Sequence, residues 1–137
     1  MTVPDPAPAD EVTGPWWKAT REHRLLVQTC AACGGVQHPP RAVCIRCGKT
    51  QALGWTPAGG TGAVDAFSVV HRAPHPDTPV PYVVARVRLD EGPLLLTRLE
   101  GAHPDSWSVD DRVRVAWRDL LDGRALPVFH PLEHERT

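Results

Sequence analysis

An excess of basic charge is the first thing this sequence lacks. Lysine and arginine together number 15 against 16 acidic residues, for a formal net charge of −1. No cationic field is present to gather a polyanion, and one Tyr and two Phe are few for stacking bases, so composition argues against nucleic acid as a partner. No apolar run approaches the roughly 18 residues of a membrane span, so no membrane partner is expected. The segment Met1 to Glu11 has neither a basic start nor an apolar middle, so it does not read as a signal peptide. Hydrolytic and phosphoryl-transfer signatures are missing too. There is no Ser–His–Asp order, no H-E-x-x-H and no phosphate loop.

What the sequence does hold is four cysteines, Cys30, Cys33, Cys44 and Cys47, as two C-x-x-C pairs ten residues apart, each followed by glycine (Gly34, Gly48). Four thiolates around one tetrahedral ion is the arrangement Zn²⁺ accepts most readily. The glycines permit the positive φ that turns amide groups toward sulfur. Without an export signal the thiols belong in a reducing compartment, which favours a metal over disulfides and suggests a cytoplasmic protein. One structural Zn²⁺ is therefore expected, and His38 is not needed as a ligand. A catalytic zinc keeps a coordination position open, which four cysteines do not. No thiol is left as a nucleophile, and the one conceivable base, His71 with Asp65 to orient it, rests on a strand pattern alone. Catalytic residues are accordingly expected to be none.

Around the cysteines the chain divides into three parts: residues 1–12 as a disordered lead-in, 13–58 as a helix plus zinc ribbon, and 59–137 as a barrel. Alternating Pro, Ala and Asp before Asp10 cannot bury enough surface to offset ordering. Thr13 as cap and Pro15 in the first turn predict a short helix from about Pro15 to His23. Trp16 and Trp17 on it are expected either to pack on the ribbon or barrel or to anchor a partner. An extended Leu25 to Gln28 leads into the first knuckle, and Pro39–Pro40 stiffen the span between knuckles. Lys49 to Gly60 reads as a connector in which Trp55 packs under the ribbon.

Beyond Gly60 the pattern has the two-residue period of strands. They are placed at Thr61–Arg72, Tyr82–Leu89, Leu94–Glu100, Arg112–Arg118 and Ala125–Pro131, with Asp122–Gly123 as a hairpin turn. Five short strands with glycine-rich corners suggest a small closed barrel of OB type. The predicted fold is mainly β: a short N-terminal helix, a rubredoxin-like zinc ribbon and a C-terminal five-stranded OB-fold barrel.

Read together, Pro15–Trp16–Trp17, Gln28-x-Cys30-x-x-Cys33–Gly34, Pro39–Pro40–Arg41-x-x-Cys44-x-x-Cys47–Gly48 and Trp55 form an ordered set. Gly60-x-Gly62, Val69–Val70–His71–Arg72, Leu89-x-Glu91–Gly92 and Leu126–Pro127–Val128–Phe129 continue it. Over nearly its whole length the chain resembles the DUF35-type zinc-ribbon/OB-fold family. It departs from the family at Val109–Asp110–Asp111–Arg112, where glycine often stands in the turn; aspartate tolerates such a corner.

The resemblance implies a non-catalytic accessory subunit. It would dock on a thiolase-like or lipid-transfer-protein-like enzyme subunit (aldolase, thiolase or acyltransferase) that acts on acyl-CoA thioesters, for example in steroid side-chain degradation. It leaves open a contact between the barrel and the CoA or pantetheine arm. Some members are fused to hydratase-like domains, for which 137 residues leave no room. Candidate CoA or partner contacts are Trp16, Trp17, Arg41, His71 and Arg72, with Arg86, Arg98, Arg112 and Arg114 as weaker options, since a guanidinium holds phosphate by paired hydrogen bonds. The alternative is a single-stranded nucleic-acid-binding OB-fold protein, which the composition disfavours.

Overall fold

A computed structural model of the chain describes residues 8–132. Most of the lead-in segment therefore lies outside the described residues. Where the description begins, the Asp10 carboxylate accepts from the N–H groups of Val12 and Thr13 at 2.9 and 2.8 Å. Helix α1 (Gly14–Thr20) starts there, with Pro15 in its first turn. Thr13 does precede the helix, but its side chain does not cap it. Its hydroxyl instead donates back to Asp10, whose carboxylate closes the turn just ahead of the helix. The helix is also shorter than the sequence suggests. His23 adopts φ +55°, so the chain has left the helix before it.

Three antiparallel strands follow, β1 (Leu26–Cys30), β2 (Val36–Gln37) and β3 (Leu53–Pro57), in the order β2-β1-β3. The last corrects the reading of Lys49 to Gly60 as a plain connector. Leu53–Pro57 pairs with β1 in full register, from Leu26↔Pro57 to Cys30↔Leu53. Gly54 and Pro57 hide the strand, because edge strands tolerate both. Trp55 on β3 packs against the main apolar cluster, half-buried.

Five strands close the barrel, β4 (Thr61–Val70), β5 (Tyr82–Leu89), β6 (Leu94–Leu99), β7 (Arg112–Asp119) and β8 (Ala125–Pro131), in the order β4-β5-β6-β8-β7. Alternation works as expected on β5, where Val83, Ala85, Val87 and Leu89 are buried. With Val64, Leu95, Leu99, Val113 and Phe129 they form one core, which Trp16, Leu25 and Val27 extend toward the ribbon. A bulge at Asp65 shifts the β4–β5 register and turns the Asp65 carboxylate onto Arg86 and Arg88, each at 2.8 Å.

The corner lacking the family glycine survives. Asp110 takes φ +73° and donates its N–H to the Val64 carbonyl at 2.8 Å, a conformation aspartate tolerates better than most residues.

Helix α1 is fastened to the β7–β8 hairpin by side chains. The fully buried Thr20 hydroxyl accepts from the Ala125 N–H at 3.2 Å and donates to the Trp17 carbonyl. The Arg124 guanidinium lies 4.6 Å above the Trp17 ring. His23 stacks on Trp117 and bonds Asp119 at 2.6 Å. No helix among the described residues is long and apolar enough to cross a membrane.

Candidate metal centre and docking face

The two knuckles are built alike. Gly34 and Gly48 stand at φ +75° and +80°, and each donates its N–H to the carbonyl of its knuckle's first cysteine, at 2.8 and 2.9 Å. Cys30 and Cys44 in turn donate to the carbonyls of Gly35 and Lys49, both at 2.9 Å. These turns aim backbone N–H groups at sulfur, as in the 3.4 Å contact from Gly35 to Cys33.

The four Sγ atoms all lie within 4.8 Å of one another. Cys30 to Cys47 is 3.7 Å and Cys33 to Cys44 is 3.6 Å. A tetrahedral zinc with Zn–S of about 2.3 Å sets neighbouring sulfurs about 3.8 Å apart, so the cluster fits one Zn²⁺. The protein is a zinc ribbon with one structural site. N–H groups of Cys47 and Arg46 hold the Cys44 thiol down to about 6. Cys47 receives an N–H from Lys49 that favours its thiolate, yet burial and the neighbouring thiols push it up to about 11. Four thiolates this close need a cation between them.

Two glutamines brace the span between the knuckles. Gln28 accepts from the Arg41 N–H at 2.8 Å and donates to its carbonyl at 2.9 Å. Gln37 donates to Gln28 at 2.6 Å and to the Val43 carbonyl, and accepts from the Ile45 N–H. Both are buried. Sequence reading assigned neither a role; the available signal was polarity at otherwise buried strand positions. The brace fixes a loop whose side chains face outward: Arg41 is exposed, Val43 is 39 % and Ile45 60 % exposed.

His38 begins this span, half-buried, its ring 5.7 Å from that of Trp16. It is not among the clustered metal-ligating groups. Burial pushes its pKa down from 6.5 to about 4, so the folded protein holds it neutral while the unfolded chain protonates near 6.5. The stability this contributes is complete above pH 6.5 and is lost as pH falls toward 4. A His38→Phe variant should therefore lose up to about 2 kcal/mol less stability than the parent between pH 7.5 and 5, by denaturant titration at the two pH values. An equal loss in both would show that the ring titrates normally.

The remaining candidate residues are scattered. Trp16 is buried in the core, Trp17 half-buried beneath Arg124. His71 and Arg72 are exposed just past the end of β4. Asp65 binds arginines, so it does not orient His71. Among the weaker options, Arg86 is held by Asp65 and Arg112 by Asp90. Arg98 lies 4.1 Å over the Tyr82 ring.

Two family models match the chain, described as the ChsH2 rubredoxin-like zinc ribbon domain over residues 17–52 and the ChsH2 C-terminal OB-fold domain over residues 55–118. A solved chain described as part of an Ltp2-ChsH2(DUF35) aldolase is 38% identical. The match covers 93% of this chain and 98% of that one, at a TM-score of 0.84. The chain belongs to the ChsH2 (DUF35) family.

Curated relatives of this family include a probable enoyl-CoA hydratase alpha subunit of Thermomonospora curvata, 41% identical over 85% of this chain. A 3-oxo-4,17-pregnadiene-20-carboxyl-CoA hydratase alpha subunit of Mycobacterium tuberculosis is 32% identical over 88% of it. The chain spans 36% and 41% of the length of these two relatives. A DUF35 domain-containing scaffold protein of Methanothermobacter thermautotrophicus is 28% identical, with 82% of this chain and 85% of the relative covered.

Proposed function

We propose that this chain is a zinc-ribbon/OB-fold docking subunit that completes or stabilises a thiolase-like enzyme acting on acyl-CoA thioesters, with steroid side-chain degradation as one setting. The observation that carries this is the 38% identity, over 98% of its length, to the ChsH2 chain of an aldolase. The chemistry of the surface agrees. The cysteines are committed to a closed metal site, and Asp65 is engaged by arginines. What the ribbon presents outward is a braced loop carrying Arg41, Val43 and Ile45. Arg41, His71 and Arg72 are exposed and remain the proposed partner or CoA contacts, whereas Trp16 and Trp17 serve that face from behind.

The two hydratase relatives support a related reading. The segment they share with this chain is about two fifths of their length or less, so it acts as the module that hydratase and aldolase assemblies have in common. The test is co-expression with a thiolase-like subunit. A stable complex by size exclusion is expected, with acyl-CoA cleavage in the complex and none in this chain alone. Turnover by the isolated chain would overturn the accessory role, as would salt-sensitive binding of single-stranded DNA at micromolar protein.

A further inference from the structure

The barrel has one weak seam, and proline explains it. Strands β6 and β8 share a single parallel pair, Leu99↔Phe129, continued by the Glu100 N–H donating to the Phe129 carbonyl at 2.9 Å. The next rung would need an N–H from Pro127, which has none. The Thr97 hydroxyl donates to the Pro127 carbonyl instead, at 2.8 Å.

Below that point the strands part around a pocket of about 230 Å³. Leu95 to Arg98 form one wall and Leu126 to Val128 the other, with Trp16 and His38 adding to the lining. The Trp16 indole N–H is buried without an acceptor among the described residues.

The main chain of β6 is oriented to use this opening. The Leu89 N–H donates to the Pro93 carbonyl, and β5 and β6 keep one register from Arg88↔Leu94 to Val83↔Leu99. Hydrogen-bonded pairs alternate in an antiparallel ladder, so Leu95, Thr97 and Leu99 bond toward β5. Leu94 and Leu96 then direct their N–H and C=O groups at the seam, where β6 has no ladder partner beyond Leu99 among the described residues. The Leu96 side chain is 80 % exposed beside it. Of the two arginines lining the pocket, Arg118 pairs with Glu100, whereas Arg98 stacks on Tyr82 and holds no carboxylate among the described residues.

An open strand edge, an apolar hollow and an uncompensated guanidinium together describe what fits. We propose that the β6–β8 seam is a docking groove for an extended segment of the partner protein, which adds as a strand along β6, sinks an apolar side chain into the hollow and sets an acidic residue against Arg98. Strand addition of this kind draws affinity from main-chain hydrogen bonds and specificity from pockets for alternate side chains. The proposal rests on the docking reading above and adds a contact on the barrel to those proposed at Arg41, His71 and Arg72.

The test is residue-resolved amide exchange on the full chain, alone and in complex with its co-expressed thiolase-like subunit. The Leu94 and Leu96 amides should exchange freely in the chain alone and slow at least about tenfold in the complex, while Leu95 and Thr97 stay protected in both. A Leu96→Pro variant, which removes an N–H facing the seam together with the exposed leucine side chain beside it, should weaken the complex by about tenfold, and Leu96→Ala, which keeps the N–H, should weaken it less. Arg98→Ala should weaken it less and reduce its salt dependence. A stoichiometric complex in which Leu94 and Leu96 stay unprotected would overturn the groove and leave the accessory function standing. Failure to form any complex would remove both. Protection by CoA alone would assign the seam to a small ligand, and protection on self-association to a second copy of this chain; either result overturns the proposal.

Discussion

Stripping zinc from the protein is expected to melt the ribbon while leaving the barrel folded. Residues 26–57 form only a three-stranded sheet with one two-residue strand, too little to bury a core of their own. Bound zinc contributes apparent free energies of about 10–16 kcal/mol in small zinc domains, far more than this sheet can supply. Chelation or Cys44→Ser should expose the amides of Cys30, Gln37 and Ile45 to exchange, because their acceptors belong to the knuckles and the glutamine brace.

Val87, Val113 and Phe129, wholly inside the barrel, should stay protected. Metal loading has a proton signature as well. The cysteine thiols of the melted ribbon, with an ordinary pKa of about 8.5, are protonated at neutral pH and must lose their protons to bind zinc. Zinc titration at pH 7 should therefore release protons, giving a heat that depends on the buffer's ionisation enthalpy. A zinc-free protein with a protected ribbon would contradict the site.

How much of this was legible in the residues differs sharply between the two units. The metal centre could be read because C-x-x-C–Gly is local: spacing and the positive-φ glycines determine the knuckle within a few residues. The barrel strands could be read because each has one buried face, so period two survives into sequence, as on Tyr82–Leu89. Leu53–Pro57 was not legible. It lies at the edge of its sheet, paired among the described residues only to β1, and carries Gly54 and Pro57 where a central strand would refuse them.

The Gln28–Gln37 brace shows in the sequence only as polar residues at buried strand positions, because its partners are main-chain groups of Arg41, Val43 and Ile45, which no side-chain pattern identifies. The seam lies between these cases. Pro127 is plain in the sequence, but its effect needs the knowledge that β6, from 30 residues earlier, runs beside it. The docking residues are the least legible, because an exposed arginine obeys no periodicity.

Trp16 offers the sharpest separation between a residue that builds the docking face and one that touches the partner. Its side chain is 7 % exposed, meets the Trp17 ring edge-on at 4.8 Å and lies near His38. It belongs to the same core as Val27 of the ribbon and Phe129 of the barrel. Helix, ribbon and barrel thus meet on one indole. Trp16→Ala is expected to cost about 3–5 kcal/mol, the range for emptying a large aromatic site in a packed core, by denaturant unfolding of the zinc-loaded chain.

Trp17→Ala should cost less, about 1–2 kcal/mol, because that ring is half-buried and its clearest loss is the stacking of Arg124. Partner affinity separates the roles a second way. If Trp16 acts from behind the surface, its conservative Trp16→Phe variant should recover much of the stability and restore binding in step. A Trp16→Phe chain that is fully stable yet fails to bind the thiolase-like subunit would instead make the buried indole N–H, which has no acceptor among the described residues, a direct contact of the docked segment.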